Sequence, residues 1–298
     1  MRSHRAPLTL GLGLLTLLAL LPSGEVEARK GKKVRFRVMT FNIRFDFPSD
    51  AAQGNSWAQR RDLVAKTFKL AKAELAGTQE DKGDQVQDLR ERLPDWECYA
   101  GKGRNGGSGE HCAIWWKREA FRQKDQGDFW LSDTPQVEGS NTWGDKYPRK
   151  VTWVLLEPKA ASDKPVLVLN AHFPEGNRTD LREKGAAVMR RFLEERLGSK
   201  GLDKITVLSL GDYNADADES PRKVLAEGLL RDAWVESNVA HPAPGTFCDF
   251  KGLRTRERID WILIGGPGRA VGADKMDEQI DGRWASDHYA VCADIEIR

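Results

Sequence analysis

Leu208-Ser209-Leu210-Gly211-Asp212-Tyr213-Asn214-Ala215-Asp216 continues the short apolar, β-rich run Ile205-Thr206-Val207, and together they read as a buried strand. The strand ends in Gly-Asp-x-Asn, so a carboxylate and a carboxamide leave one strand terminus together. Strand ends and the loops after them are where a rigid scaffold presents chemistry. An Asp there can hold or activate a water, and an Asn two residues on can donate to a phosphate oxygen while staying neutral. Gly, Asp and Asn are equally the ingredients of an ordinary turn, so the stretch needs partners before it means a site.

Those partners come from other strand ends. Val34 to Ile43 alternates basic and apolar residues with period two, the pattern of a half-buried strand, and ends near Asn42. Asn55 or Ser56 can cap a following helix whose apolar stripe is Trp57, Leu63, Val64, Phe68 and Ala71. Leu75 to Glu80 is a second short strand, and a polar helix covers roughly 83–93. Strands around 96–100 and 111–118 are joined by the glycine-rich Gly101–Gly109. That loop lacks the GxxxxGK[ST] order and leads into a strand, so it reads as a mobile hairpin and not as a phosphate loop.

Phe129-Trp130-Leu131 opens a further segment, and Ser132 to Pro148 is a long polar loop that delivers Arg149 to the strand Lys150–Leu156. Pro165 to Phe173 is a strongly apolar strand carrying His172 near its end, and a helix follows over 178–197. After the Asp212 strand come a short helix near 221–227, a loop holding Gly245-Thr246-Phe247, and the strand Glu257–Ile264 with Asp260 inside it. The last strand, Tyr289 to Ile297, is introduced by Ser286-Asp287-His288.

The chain has 298 residues, 40% apolar and 31% charged, enough for a substantial core. No repeat, linker or low-complexity block divides it, so one domain over 29–298 is expected. Its 47 basic and 45 acidic residues leave a net charge of +2. That balance excludes a long polycationic nucleic-acid clamp and favours small or locally held substrates. Residues 1–28 have the basic start, the leucine-rich run and the Val26-Glu27-Ala28 cut of a signal peptide. The expectation is therefore a secreted or periplasmic monomer with no integral membrane segment in the mature chain. Cys98, Cys112, Cys248 and Cys292 show no zinc spacing, and Cys98 with Cys112 could pair across the glycine loop.

Asn42, Glu80, His172, Asp212, Asn214, Asp260, Asp287 and His288 all lie within or at the ends of apolar strands. So many metal-binding and proton-transferring groups cannot be buried separately without partners, and one shared polar site satisfies them together. Met39-Thr40-Phe41-Asn42, Gly77-Thr78-Gln79-Glu80, Asn170-Ala171-His172, Gly211-Asp212-Tyr213-Asn214, Arg258-Ile259-Asp260 and Ser286-Asp287-His288 resemble, in this order, the motifs of the endonuclease/exonuclease/phosphatase superfamily.

The resemblance covers essentially all of 34–298. It implies the deoxyribonuclease I-like fold, a four-layered α/β sandwich of two packed, mostly antiparallel sheets flanked by helices. It also implies metal-dependent cleavage of phosphate esters, which with the N-terminal segment makes the expectation an exported phosphoesterase. By the same resemblance Glu80, with Asn42 and Asp287, would hold the metal: Mg²⁺, with Mn²⁺ as an equivalent and Ca²⁺ as a third choice. His288 would be the general base oriented by Asp260, and Asp212 would position the water. Asn214, His172 and Arg149 would contact the substrate phosphate.

A phosphodiester is the expected substrate class, in a nucleic acid, a nucleotide or a phospholipid headgroup. A phosphomonoesterase on a sugar or inositol phosphate is the alternative, and a non-catalytic phospho-ligand binding module is the alternative from another class. Three features depart from the family pattern. His172 is followed by Phe-Pro-Glu-Gly; Arg44 stands where apurinic-site enzymes have an acid; and Asn177-Arg178-Thr179 reads as a chance sequon. Trp115, Trp116, Phe129, Trp130 and Trp143 are read mainly as core, with stacking on bases or contact with a lipid surface as the other possibility.

Overall fold

The computed structural model describes residues 33–237, 245–255 and 257–298; the expected signal peptide lies outside them. In chain order the elements are β1 (Val34–Asn42), α1 (Trp57–Leu70), β2 (Leu75–Gln79), α2 (Gly83–Arg92), β3 (Trp96–Tyr99), β4 (Ile114–Lys117), β5 (Phe121–Trp130) and β6 (Lys150–Pro158). They continue with β7 (Val166–His172), α3 (Thr179–Gly201), β8 (Thr206–Asp212), α4 (Ser220–Ala226), β9 (Arg231–Asp232), α5 (Ala233–Glu236), β10 (Asp260–Gly265), β11 (Gly268–Met276) and β12 (Ala290–Ile297).

They form two six-stranded sheets, ordered β11-β12-β1-β2-β4-β3 and β5-β6-β7-β8-β10-β9. Between the sheets, alternate residues of the central strands interleave: Val38, Leu75, Ile114 and Ile295 from one, Val154, Val168, Leu208 and Ile262 from the other. On the outer face of the first sheet α1 and α2 pack Leu63, Val64, Phe68 and Leu89 against Met39, Phe41 and Trp115. On the outer face of the second, α3 and α4 pack Met189, Leu193 and Leu225 against Leu167, Val207 and Leu263. The result is the four-layered α/β sandwich, helix–sheet–sheet–helix. Each sheet is mixed, with one parallel neighbour pair, β1 with β2 and β7 with β8.

Two edge strands escape sequence reading. β5 carries Arg-Gln-Lys-Asp-Gln-Gly-Asp between its terminal aromatics, and β11 reads Gly-Arg-Ala-Val-Gly-Ala-Asp-Lys-Met. Neither alternates cleanly, because each pairs on one side only and leaves much of its length in water. Both ladders also carry a register shift, which breaks the period. The five singled-out aromatics fall as expected: Trp115, Trp116, Phe129 and Trp130 are buried, and Trp143 packs partly buried against the core.

The glycine loop is not a free hairpin. The Trp130 indole donates to the Arg104 carbonyl, the Arg104 amide to the Glu110 carbonyl, and the buried Lys150 to the Lys102 carbonyl. Backbone bonds within the loop close it further. Cys98 and Cys112 are both free thiols, as are Cys248 and Cys292. Cys98 faces Trp115 in the β3–β4 ladder while Cys112 lies before β4, so the expected hairpin bridge does not form. No helix among the described residues is long and apolar enough to cross a membrane.

Candidate active site

Register brings the site together. His172, Asp212 and Asp260 are direct neighbours across β7, β8 and β10, since His172 pairs with Asp212 and Asp212 with Asp260. In the other sheet Asn42 pairs with Gln79, which puts Glu80 just past the end of β2 beside it. His288 enters from the segment before β12 and bridges to Phe247. Two glycines permit the approach. A side chain at Gly77 would meet the Asn170 amide at 2.9 Å, and one at Gly211 would meet the Ala171 carbonyl oxygen at 2.3 Å.

Beneath the site a buried amide pair ties the sheets. Gln79 donates to Thr40 Oγ1 and Asn170 Oδ1, at 3.0 and 2.7 Å. Asn170 in turn donates to the carbonyls of Thr78 and Ala113. The buried Arg60 adds a second brace by donating to the carbonyls of Ile43 and Ala285, both at 2.8 Å, so the segment before His288 is fixed to the end of β1. Its burial lowers its pKa to about 10, which still leaves it charged.

Above these braces the functional groups touch. The Asn42 amide donates to Glu80 Oε1 at 3.1 Å and to Asp212 Oδ2 at 3.0 Å, while Glu80 Oε2 accepts from the Phe45 amide at 3.0 Å. The Asn42 side-chain Oδ1 accepts from the Arg44 backbone amide, so Asn42 stands behind Glu80 and aims it. His288 Nδ1 lies 2.9 Å from Asp260 Oδ2, and its Nε2 lies 3.8 Å from Asp212 Oδ2. His172 Nε2 is 3.6 Å from the same Asp212 oxygen and receives the Asn214 amide at 3.1 Å. Asp287 reaches Arg44 Nη1 at 3.5 Å.

Of the seven described non-glycine residues with positive φ, Arg44, Glu80, Asn214 and Asp249 line this cleft. Strain of this kind persists where the surrounding fold over-determines it, and it concentrates at functional sites.

The electrostatics are lopsided. Glu80, Asp212, Asp260 and Asp287 converge, and the last three are buried. Burial and the neighbouring Asp260 push the Asp212 carboxyl up to about 7. Burial, with Glu80 adding to it, raises Asp287. Burial opposes charge on His288, but Asp260, Asp212 and Asp287 outweigh it and hold the imidazole well above its ordinary value. His172 is driven the other way, by burial and then by Arg149, His288 and Arg104, and stays neutral as an acceptor for Asn214. Burial is the larger cause and the neighbouring carboxylate the smaller, so ionising these groups carries a cost that a cation among them would offset. An all-oxygen set carrying surplus charge fits a hard divalent cation. Asp212, Asp260 and His288 also offer ligand atoms all within 4.8 Å of one another.

The cleft has two lobes of about 460 Å³ each, which share Arg44, Glu80, His172 and Glu175. One lobe holds Asp212, Asn214, Asp287 and His288, and continues to Asp249, Thr255 and Glu257. The other holds Arg149 together with Phe45, Lys82, Arg104, Glu110 and Tyr147. The structure thus places six of the predicted site residues, Glu80, His172, Asp212, Asn214, Asp287 and His288, on the wall of one lobe, with the buried Asn42 behind Glu80, Asp260 behind His288, and Arg149 in the adjoining lobe.

Sequence reading missed Glu175, Glu257, Lys82, Arg104, Glu110 and Tyr147. Glu175 sits in the departing Phe-Pro-Glu-Gly stretch, and Arg104 in the glycine loop, so irregularity next to a motif was the available signal. The others come from loops or helix starts with no local mark.

Comparison with known proteins agrees with the geometry. The sequence profile of the Endonuclease/Exonuclease/phosphatase family matches residues 39–288. Among solved structures, an endonuclease/exonuclease/phosphatase family protein from Bacteroides thetaiotaomicron is similar with a TM-score of 0.82 and 26% identity, over 90% of this chain and 99% of that one. A mannosyl-6-phosphatase from the same organism is similar at 0.79 and 27%, over 87% and 99%. The human Nocturnin catalytic domain, solved with a sulfate anion, shares the fold at 0.70 and 17%, over 90% and 97%. A comparison with curated proteins returned no match.

Proposed function

The chain belongs to the endonuclease/exonuclease/phosphatase family, and from that premise we propose that it hydrolyses a compact phosphate ester, a phosphorylated sugar or polyol, with a divalent metal and a water nucleophile. The observation that carries the reading is the convergence of Glu80, Asn42, Asp212, Asp287, His172 and His288 from five separated segments onto one cleft.

Glu80, aimed by Asn42 and joined by Asp287, would hold Mg²⁺ or Mn²⁺. Such an ion supplies charge neutralisation at a phosphoryl oxygen. Asp212 sits within 4 Å of both imidazoles, where it can orient the attacking water and accept its proton. His288 shares that proton load, and Asp260 holds its Nδ1 so that Nε2 faces the cleft. Asn214 lines the same lobe as a donor to the non-bridging oxygens, its amide held in place by the His172 Nε2 acceptor.

The preference for a compact monoester comes from the cleft. Six carboxylates line the first lobe, Glu80, Glu175, Asp212, Asp249, Glu257 and Asp287. They oppose a long polyanion and offer acceptors to hydroxyls. The similarity to a mannosyl-6-phosphatase at 27% identity supports the same substrate class. A phosphodiester, the class expected from the sequence, keeps second place because the buried Arg149 in the second lobe suits a further phosphate contact.

The deciding experiment measures phosphate release from mannose 6-phosphate and p-nitrophenyl phosphate, and nitrophenol release from bis-p-nitrophenyl phosphate, with Mg²⁺ or Mn²⁺. Monoesters are expected to turn over faster, with activity abolished by EDTA. Faster diester cleavage reverses the order, and no turnover of any ester with metal present defeats the reading.

A further inference from the structure

We propose that the second lobe of the cleft is an anion subsite that reads a second phosphate on the substrate, held one ring away from the phosphate being cleaved. The inference rests on the phosphoesterase reading and deepens it. The two lobes meet at Glu80 and His172 but differ in sign. The first is lined by six carboxylates with Arg44, whereas the second is lined by Arg44, Lys82, Arg104, Lys146 and Arg149 against Glu80, Glu110 and Glu175.

Two of those three acids are already engaged. Glu80 faces the metal site, and Glu110 accepts from Arg104 Nη1 at 2.6 Å, a pair that neutralises itself; with Arg44 likewise held by Asp50 and Asp287, the lobe's uncommitted cations are Lys82, Lys146 and Arg149. Glu175 meets Lys146 only at 3.9 Å.

Arg149 supplies the independent sign of a ligand. Its side chain is 6% exposed, yet its one side-chain partner among the described residues is Asp145, from Nε at 3.5 Å. The two terminal nitrogens have no hydrogen-bond partner among the described residues. They are absent from the sealed, unpartnered polar atoms of the interior and so open on the lobe, where a guanidinium held by its burial presents a planar pair of donors to an anion. Arg149 and His172 line the same crevice, so Arg149 marks the junction where the scissile phosphate ends and the second lobe begins.

Beyond it, aromatic surfaces carry the remaining cations at their faces: Arg104 is 4.0 Å from the Tyr147 ring centroid, Lys146 is 4.9 Å from it, and Lys82 is 5.0 Å from that of Phe45. Rings flanked by cations suit the apolar face of a sugar that carries a charged substituent. A bisphosphorylated hexose therefore fits both lobes, with one phosphate at Glu80 and the other at Lys82 and Lys146.

The test is a calorimetric titration of the His288→Ala protein with Mg²⁺, using fructose 6-phosphate and fructose 1,6-bisphosphate. The bisphosphate is expected to bind roughly tenfold or more tightly, the worth of one or two charge-assisted contacts. In a Lys82→Gln/Lys146→Gln protein built on the same background that ratio should fall toward unity, with a melting temperature close to the parent's. Equal affinity for the two esters overturns the subsite, as does binding of neither. A ratio unchanged by the double substitution overturns its assignment to this lobe. Phosphate release by the unsubstituted enzyme is followed separately, so loss of the functional reading is visible whichever way the binding falls.

Discussion

At one end of the sandwich Glu80, Asp212, Asp260 and Asp287 crowd together with too few cations, and the Asp212 carboxyl is pushed up to about 7 by burial and by Asp260. At the other end of β12 a single carboxylate, Glu296, receives Arg35 at 2.6 Å and Arg269 at 2.6 Å, with Arg298 and Lys33 at 3.4 and 3.7 Å. Its pKa falls to about 2, chiefly through the hydrogen bonds from Arg35 and Arg269. Glu296 and, in the cleft, Asp212, Asp260 and Asp287 are inaccessible to solvent or nearly so. One group is complete by itself and the other awaits charge from outside, which is the difference between a structural ion cluster and a binding site.

The sharpest way to break this comparison is to remove the missing charge. EDTA, or Glu80→Gln, should lower turnover of any phosphate ester by roughly 10³-fold or more, given the several kcal/mol of charge stabilisation that a bound metal supplies. Readdition of Mg²⁺ should restore the first and not the second, in a steady-state phosphate-release assay. Glu296→Gln should leave turnover close to the parent's. If Glu296→Gln proved as damaging as Glu80→Gln, the two ends would not differ in kind.

Next in size is the His288 pair. Asp260→Asn keeps the shape of the pair but removes the charge that steadies the imidazole, and kcat should fall by roughly 10²–10⁴. The KM should move far less, because Asp260 stands behind His288 and away from the substrate. A change in KM alone, read from full saturation curves, would place Asp260 in binding instead.

Much of this site was legible in the sequence because its residues share one local signature, a polar group at the end of an apolar strand. Asn42, Glu80, His172 and Asp212 each end or directly follow such a run, and strand register then brings them level. The sandwich was legible for the same reason, since the central strands carry a plain signal: β1 alternates, and β7, β8 and β10 are continuous apolar runs. What lay hidden was set by tertiary context. β5 and β11 are edge strands without a pattern, and Gln79, Asn170 and Arg60 look like ordinary polar residues until their burial is seen. Arg104 and Glu110 owe their places to a glycine loop whose anchoring by Trp130 and Lys150 is non-local. Neither composition nor spacing encodes such anchoring.

A smaller effect sharpens the comparison through binding. Metal that occupies only the folded protein stabilises it by about 2.7 kcal/mol at a hundredfold excess over Kd, a rise of a few degrees in melting temperature. That rise should appear with Mg²⁺ in the parent and in Glu296→Gln, and vanish in Glu80→Gln, as read by calorimetric melting. A rise that survives Glu80→Gln would move the metal to the Asp212, Asp260 and His288 group.

The smallest expected effect lies at Glu296 itself, and its sign is fixed. A carboxyl whose folded pKa sits near 2 and whose unfolded value is near 4.5 stabilises the fold fully above the unfolded value, and that contribution is lost as pH falls toward 2. Glu296→Gln should therefore melt below the parent at neutral pH, with the gap closing through the acid range. The arginines that cover this carboxylate are largely exposed, Arg35 at 67% and Arg298 at 60% of their side chains. Water and salt screen the cluster, so raising ionic strength should narrow the gap as well. Melting curves of the two proteins from pH 3 to 7, at low and high salt, check both trends. A gap that widened on acidification would mean that the cluster carries surplus positive charge held together by something other than Glu296, and the contrast with the cleft would lose its second member.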